Sequence, residues 1–322
     1  MFSIIIPLYN KSLYIQKVVN SVLNQNCKNF ELIIVNDGST DDSLEIIKKF
    51  KDERIIIINQ SNLGVSVARN NGVKIAKNDN IIFLDADDWW DENFLTEMQN
   101  LIYKYNEAVL FSCNYFSVKN GVNRKALIGV DSDFKDGYID YFKVYSSTFW
   151  APINCSYVTV KKNIFNAVSG FNPILKFGED LDLWIRIAIN HKVAYVNKYL
   201  VYSNQDVPVS HRALGNKYWD VKEHVIFNLE YLGIYEIKNK ELKELLDGLR
   251  VRSLIDFYLN NNHFNDVQRE LSKVDFAKQP KYYQFIYKFP KVMVKLFFFV
   301  KNNGSFLKQQ VIKLFQYLKN NE

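Results

Sequence analysis

This chain is poor in the residues that build disulfide frameworks, zinc clusters or flexible tethers. It has 3 cysteines, 6 prolines, 12 glycines and 4 histidines in 322 residues. Cys27, Cys113 and Cys155 stand far apart with no Cys-x-x-Cys pair, which excludes a cysteine-rich zinc site and fits a reducing compartment. No stretch is rich in Pro or in Gly and Ser, so any two domains are expected to pack directly together. No apolar run approaches the roughly 18 residues of a spanning helix. The longest, Leu296-Phe297-Phe298-Phe299-Val300, is far too short. The first residues, Met1-Phe2-Ser3-Ile4-Ile5-Ile6, have no basic region or cleavage site, so a secretory signal is not expected. Acids are scarce at one end. Residues 280–322 carry Lys281, Lys288, Lys291, Lys295, Lys301, Lys308, Lys313 and Lys319 against Glu322 alone, a net +7 that leaves the rest of the chain near −1 of its total +6.

What remains is a chain with 48% hydrophobic residues, enough for one large domain and a smaller one. Apolar runs and amphipathic stretches alternate through the first hundred residues. Ser3–Pro7, Phe30–Asn36, Arg54–Asn59 and Ile81–Leu84 read as strands. Between them Leu13–Gln25, Asp42–Phe50 and Gly64–Lys77 read as helices, the second opened by a capping box of Ser39 and Asp42. Continuous runs such as Ile55-Ile56-Ile57-Ile58 predict strands covered on both faces, and the alternation predicts a parallel half-sheet with right-handed crossovers. Further on, a helix is expected from Asp91 to about Tyr105 and a strand near Ala108–Val118. A strand near Ser156–Val160 precedes a short helix ending at Val168. A helix opens at Gly178, and Lys192–Val196 and Leu200–Tyr202 read as two short strands. Residues 119–150 follow no clear period, and everything beyond about Gly215 reads helical.

Polar residues gather where the early strands end: Pro7-Leu8-Tyr9-Asn10, Asn36-Asp37-Gly38-Ser39, Asn62-Leu63-Gly64 and Asp85-Ala86-Asp87-Asp88. The ends of parallel strands share one edge of the sheet, where open α/β folds bind ligands. Acids packed there repel one another. A divalent cation relieves that repulsion, and hard oxygen ligands suit Mg²⁺ or Mn²⁺, which could in turn grip a diphosphate. The competing account is an acidic N-cap and surface turn. Asn-Asp-Gly-Ser is likewise ordinary turn chemistry when taken alone. Trp89, Trp90, Trp150 and Trp184 are candidates to stack an acceptor sugar, with core packing as the rival role.

The order of these motifs carries more than any one of them. Ile5-Ile6-Pro7-Leu8-Tyr9-Asn10 is followed by Val35-Asn36-Asp37-Gly38-Ser39-Thr40-Asp41 and by Asn62-Leu63-Gly64 with Ala68-Arg69-Asn70 and Gly72. Leu84-Asp85-Ala86-Asp87-Asp88 and Gly178-Glu179-Asp180-Leu181-Asp182-Leu183-Trp184 complete the series, which resembles glycosyltransferase family 2 on a GT-A fold over roughly residues 1–212. The resemblance implies a Rossmann-like nucleotide-binding half-sheet within a mixed central sheet, as a GT-A domain at 1–215. It leaves a helical C-terminal extension at 216–322. It implies an inverting, metal-dependent enzyme of hexosyltransferase type that uses a nucleotide sugar, with UDP-sugars favoured. Pro7 and Tyr9 would line the uridine pocket and Asp37 would bond the base, with Asn62 and Arg69 near the nucleotide. Asp85, with Ala86 beside it, would lie on the ribose or metal side, and Asp87 would hold Mg²⁺ or Mn²⁺. Asp180 would be the general base, with Glu179 orienting it or touching the sugar. His211, before Arg212, sits where relatives carry a loop closing over the diphosphate. It is a candidate third metal ligand, and a surface histidine is the alternative because this segment departs from the family's clearest pattern. Trp150 and Trp184 are the acceptor-side candidates, with specificity expected from residues 119–150.

The acceptor implied is a glycan or a lipid-linked sugar in bacterial surface polysaccharide synthesis. A sugar-1-phosphate nucleotidyltransferase is the first rival, and the absence of a Gly-rich phosphate loop at Pro7-Leu8-Tyr9-Asn10 counts against it. A non-catalytic nucleotide-sugar-binding scaffold is the second, opposed by the presence of Asp85, Asp87 and Asp180 together. In the tail, Val292, Leu296 and Phe299 form an apolar helical stripe flanked by Lys288, Lys291 and Lys295. Val311, Leu314, Phe315 and Leu318 form another. Such a basic amphipathic stretch suits an anionic membrane surface, so a cytoplasmic protein peripheral on the inner face of the cell membrane is expected. Docking on the catalytic domain or homodimerisation are the alternatives. Nucleic-acid binding is not expected, since no such motif accompanies the lysines and aromatics.

Overall fold

The computed structural model describes residues 1–208, 220–260 and 263–302. The first half alternates as expected: β1 (Phe2–Leu8), α1 (Ile15–Leu23), β2 (Phe30–Asp37), α2 (Ser43–Lys48), β3 (Ile55–Gln60), α3 (Val65–Ile75) and β4 (Asn80–Phe83). Then follow β5 (Trp89–Trp90), α4 (Phe94–Lys104), β6 (Ala108–Lys119), β7 (Val122–Lys125), β8 (Asp136–Ile139) and α5 (Tyr141–Thr148). A 3-10 turn at Cys155–Tyr157 leads into β9 (Val158–Lys161), α6 (Lys162–Ala167), α7 (Glu179–Ala188) and β10 (Lys192–Asn204). The described strands form one mixed sheet in the order β3-β2-β1-β4-β9-β6-β10-β5, with β7 on β6 and β8 on β10.

β3, β2, β1 and β4 are parallel, as the alternating pattern predicts. β9 then runs antiparallel between β4 and β6, while β10 returns parallel to β6. β1 is central, with Ile4 level with Leu32 on one side and Ile82 on the other. Its aliphatic residues are sealed from water, each stabilising the fold by about 1.5–3 kcal/mol. α1 turns Ile15, Val18, Val19 and Val22 onto this core, and α4 adds Phe94, Leu95, Met98 and Leu101.

Several sequence expectations change in the fold. The Ile55–Ile58 run is half-buried rather than covered on both faces, because among the described residues β3 is an edge strand with β2 as its only sheet neighbour. The helix expected over Asp42–Phe50 shortens to α2, and Asp42 makes no side-chain cap. Asp41 acts instead: its Oδ1 accepts from Ser43 N at 3.0 Å and its Oδ2 from Ser12 N at 3.0 Å. These bonds hold its carboxyl below the usual range despite the opposing effect of burial. The two short strands expected near 192–202 are one strand, β10. Its ladder with β6 shifts register around Tyr199, so the polar Asn197 and Lys198 interrupt the apolar pattern without ending the strand. The span 119–150 resolves into β7, β8 and α5.

The backbone divides at Leu245/Leu246, beyond the 215/216 division read from sequence. Between the two divisions lie 3-10 turns at Val221–Glu223, Val225–Phe227 and Glu230–Leu232, the first two packing on the start of α7. There Phe177 bridges to His224 and the two rings stack with centroids 4.6 Å apart. α8 (Gly233–Lys238) and α9 (Lys240–Asn260) follow, with α10 (Phe264–Ser272), α11 (Lys281–Lys288) and α12 (Lys291–Asn302) in the second unit. That unit buries Val251, Leu254, Val267, Leu271, Ile286 and Val294. Arg250, fully buried, stands between Asp247 Oδ1 and Glu270 Oε2, each at 3.4 Å. The later tail motifs around Phe306, Val311, Leu314, Phe315 and Leu318 lie outside the described residues.

Candidate active site

The chain adds β2 and β3 on one side of β1 and then returns to place β4 on the other. Between the carboxyl ends of β1 and β4 the crossovers diverge, which leaves a crevice where doubly wound sheets bind nucleotides. The loop after β1 supplies Tyr9, Asn10 and Lys11, and the loop after β4 supplies Asp85 to Asp88. Lys11 Nζ meets Asp87 Oδ2 at 2.6 Å across it. Asn10 adopts a left-handed φ of 49°, and its Oδ1 accepts from Thr40 N at 2.8 Å, joining the loops after β1 and β2.

The loops after β2 and β3 join at Asp37. Its Oδ1 accepts from Gln60 Nε2 and Leu63 N at 2.8 Å, and its Oδ2 from Gly64 N at 2.9 Å. The carboxylate expected to bond a base therefore organises the Asn62-Leu63-Gly64 loop through three donors of this chain. Gly38 allows the close approach: its φ is +73°, and a Cβ there would lie 2.8 Å from Asn62 N. Pro7 is half-buried in β1, while Tyr9 and Asn62 are exposed on the same edge. Ala86 is closed to solvent and belongs to the core beside Leu84 and Trp90.

On the opposite side Arg69 of α3 joins two motifs far apart in sequence. Its guanidinium, 5% exposed, meets Asp85 Oδ1 at 2.7 Å and Glu179 Oε1 at 2.9 Å. Burial opposes its charge, but the carboxylates of Asp85 and Glu179 keep it protonated. Glu179 opens α7 after Gly178, whose φ is +78° and where a Cβ would lie 2.3 Å from Val225 Cγ1. Asn70, beside Arg69, accepts from Phe171 N at 3.0 Å and donates to Phe171 O at 2.8 Å, so α3 also holds the segment leading to α7. Asp182 faces away from the crevice, accepting from Arg186 Nε at 2.9 Å and Tyr231 Oη at 2.7 Å.

The acids of the crevice differ in environment. Burial and the neighbouring Glu179 charge raise Asp180 to about 7, with Arg69 acting in the opposite sense. Burial raises Asp87, Lys11 opposes it, and Asp85 adds to it. Burial, then Asp87 and Asp85, push Asp88 well above the usual carboxylate range. Asp88 turns inward, where its Oδ1 accepts from Asn204 N at 2.8 Å. The donor chemistry fits a hard divalent cation: Asp85 and Asp87 are oxygen ligands whose mutual repulsion a cation would relieve. Among the described residues no three His, Cys, Asp or Glu side chains converge as a ready-made metal cage. One or two carboxylates completed by substrate phosphate and water is the ordinary Mg²⁺ arrangement. His211 and Arg212 lie outside the described residues.

The acceptor-side tryptophans separate. Trp184 is fully buried, with its ring set edge-on to Phe171 at 6.0 Å, so the expectation that it stacks an acceptor is corrected: α7 turns it into the core. Trp150 is half-buried, 6.2 Å from Tyr115 in a satellite cluster with Ile128 and Val130. Trp89 stacks on Tyr202 at 5.5 Å beneath the Lys17 ammonium. Trp90 is in the core and donates Nε1–H to Ser156 O at 2.7 Å. The sequence reading missed Lys11, Asn154 and Ser156. Lys11 carried a faint signal as the residue after a polar strand end; the other two carried none.

The sequence model for glycosyl transferase family 2 matches residues 3–158. The Escherichia coli UDP-Glc:alpha-D-GlcNAc-diphosphoundecaprenol beta-1,3-glucosyltransferase WfaP is 40% identical over 190 residues, 58% of this chain and 70% of WfaP. Glycosyltransferase GlyA of Streptococcus pneumoniae is 31% identical over 215 residues, 62% of this chain but 30% of GlyA. The putative glycosyltransferase EpsH of Bacillus subtilis is 34% identical over 140 residues, 43% of this chain and 39% of EpsH. The chain thus spans well under half the length of GlyA and of EpsH. Among solved structures, S. aureus TarS 1-349 in complex with UDP-GlcNAc superposes with a TM-score of 0.67 at 18% identity, covering 88% of this chain and 83% of that one. TarS 1-349 alone gives 0.64 at 20%, covering 80% and 74%. At such identities the likeness is one of fold, and that fold is the expected GT-A architecture with added C-terminal helices.

Proposed function

Because this chain belongs to glycosyl transferase family 2, we propose that it is an inverting glycosyltransferase that moves a sugar from a UDP-sugar to a glycan or lipid-linked acceptor. The observation that carries the reading is the pair of acid sets joined by one cation. Asp85, beside Asp87, and Glu179, beside Asp180, are held on opposite sides of Arg69. Displacement at an anomeric carbon needs that division, with a charged leaving diphosphate on one side and a basic group on the other.

Asp180 is the proposed base. Its carboxylate takes the proton of the acceptor hydroxyl as the new C–O bond forms and the bond to the diphosphate oxygen breaks. A single displacement of this kind inverts the anomeric centre. Arg69 pairs with Glu179 and so ties the start of α7 to the donor-side loop. Asp87, with Asp85 near it, is proposed to hold Mg²⁺ or Mn²⁺, which when bound offsets charge on the departing diphosphate. Asp37, Tyr9, Pro7 and Asn62 are proposed to frame the nucleotide's base, the loops being held by Asp37 itself. The relative WfaP is named for a diphosphoundecaprenol-linked acceptor, which supports a lipid-linked acceptor here. Nucleoside diphosphate release across a panel of UDP-, GDP- and dTDP-sugars, with Mg²⁺, Mn²⁺ or chelator, tests the reading. Release from a UDP-sugar that stops with chelator is the expected result. No release from any donor by the unaltered protein would favour a binding scaffold.

The same reading includes a peripheral location on the inner face of the cell membrane. No helix of the described residues is long and apolar enough to cross a membrane. On α12, Val294 is buried while Val292, Met293 and Leu296 are 78%, 49% and 62% exposed, with Lys288 and Lys295 exposed nearby. That combination suits an anionic lipid surface. Co-sedimentation with phosphatidylglycerol vesicles is expected and should be lost in the Val292→Asp, Leu296→Asp variant. Pelleting that survives both changes would dispose of α12 as the contact.

A further inference from the structure

We infer that Asn154 is a positioning residue for Asp180, fixed in place by a turn that also holds the donor-side loop. The inference rests on the reading of Asp180 as the base. Asn154 Oδ1 accepts from Ser156 N at 3.2 Å, which sets the orientation of its amide. Its Nδ2 then points at Asp180 Oδ2, 3.5 Å away. Catalytic hydrogen bonds in ligand-free sites are often this long and tighten in the reacting complex. The other base oxygen, Oδ1, accepts from Leu181 N at 2.7 Å. One oxygen is therefore held by the base's own helix and the other by Asn154, and Oδ2 retains a lone pair for the incoming proton.

The turn itself is tied down on three sides. Ser156 Oγ accepts from Asp85 N at 3.3 Å and Ser156 O from Trp90 Nε1 at 2.7 Å. Ser112 Oγ of β6 lies 2.7 Å from Pro152 O and 3.0 Å from Tyr157 O. Two links thus run from Asp85 to the start of α7. Arg69 reaches Glu179 and sets the helix. The Asn154-Cys155-Ser156 turn reaches Asp180 and sets the carboxylate. An amide suits this place because it donates to the ionised carboxylate without adding charge. The charged and titratable groups facing Asp180 are Glu179 on its own helix, Arg69 of α3, Asp85 after β4, Cys155 of the turn and Tyr141 of α5. Among the described residues the buried Tyr141 hydroxyl has no partner, and Asn154 is the side chain from outside α7 that donates to Asp180.

The test uses the full chain carrying Asn154→Ala, Asn154→Asp or Asn154→Gln, with nucleoside diphosphate release followed against pH. Loss of a donor to an ionised carboxylate should move the acidic limb of kcat upward by about one pH unit for Asn154→Ala. The rate below neutral pH should fall about tenfold, with the KM for donor unchanged, and the shift should be larger for Asn154→Asp. Asn154→Gln, which keeps an amide, should recover part of the loss. A rate loss with an unmoved limb would overturn the proposal and leave Asn154 a merely structural residue. A second readout needs no turnover. The fall in melting temperature from pH 6 to pH 8 should be steeper in Asn154→Ala than in the parent, and this difference should vanish in an Asp180→Asn background. Equal slopes in both backgrounds would also overturn the contact. Absence of turnover in the unaltered protein, with the melting coupling intact, would instead count against the base assignment alone.

Discussion

At the residue scale, the assignment of Asp180 as the proposed base ties activity to stability through one proton. Its folded pKa lies near 7, above the ordinary 3.8. Between those values the unfolded chain has released the proton while the folded chain keeps it. The stability contributed by protonated Asp180 is therefore whole below about pH 4 and lost as pH rises through about 7. The proposed base acts in the opposite form, so on that reading turnover should rise over the range in which stability falls. Asp180→Asn is expected to lower kcat by about 10²–10⁴-fold, the range for a lost general base. It should also flatten the dependence of melting temperature on pH between 5 and 8, and calorimetry at several pH values would show it. Arg69 is the second test at this scale. Removing a buried cation between two carboxylates leaves both uncompensated, so Arg69→Ala should destabilise by about 3–5 kcal/mol in denaturant titration. Arg69→Lys should recover little, because a point charge does not span both acids as the guanidinium fork does. Asp85 and Asp87 after β4, and Asp180, were legible as candidates in the sequence. The upward shifts of Asp87 and Asp180 were not, since the burial that causes them is set by distant segments.

At the element scale, the entrance to α7 decides where the proposed base, Asp180, stands. Gly178 has a left-handed φ and Val225 presses against it. Gly178→Ala should cost about 1–2 kcal/mol for the backbone conformation alone, with the Val225 clash added. Pairing it with Val225→Ala should return the steric part but not the backbone part, which a double-mutant cycle by chemical denaturation separates. Early elements were readable because their pattern is local: β1, β2 and β4 are aliphatic runs closed by polar turns. β10 was read as two strands because its register shift admits Asn197 and Lys198, and periodicity cannot distinguish a bulge from an end. α5 was unreadable in a stretch mixing aromatic and polar residues. Its start is set by Asp140, whose Oδ1 accepts from Phe142 N and Lys143 N at 3.0 Å.

At the scale of the whole molecule, charge is divided along the chain, with the positive excess in residues 280–322. If that region meets an anionic bilayer, vesicle binding should weaken steadily as ionic strength rises and disappear with neutral phosphatidylcholine. Retained binding to neutral vesicles at high salt would indicate that apolar contact alone suffices. The alternating strands and helices, the order of the acidic motifs and the basic tail were all set in the sequence itself, because each depends on neighbours within a few residues. Tertiary structure alone decided that Arg69 pairs Asp85 with Glu179, that Lys11 meets Asp87, that Trp184 is core, and that Asn154 reaches Asp180. Each of those contacts joins residues brought together by sheet order and by loops meeting at one edge, and no local pattern encodes a meeting across that distance.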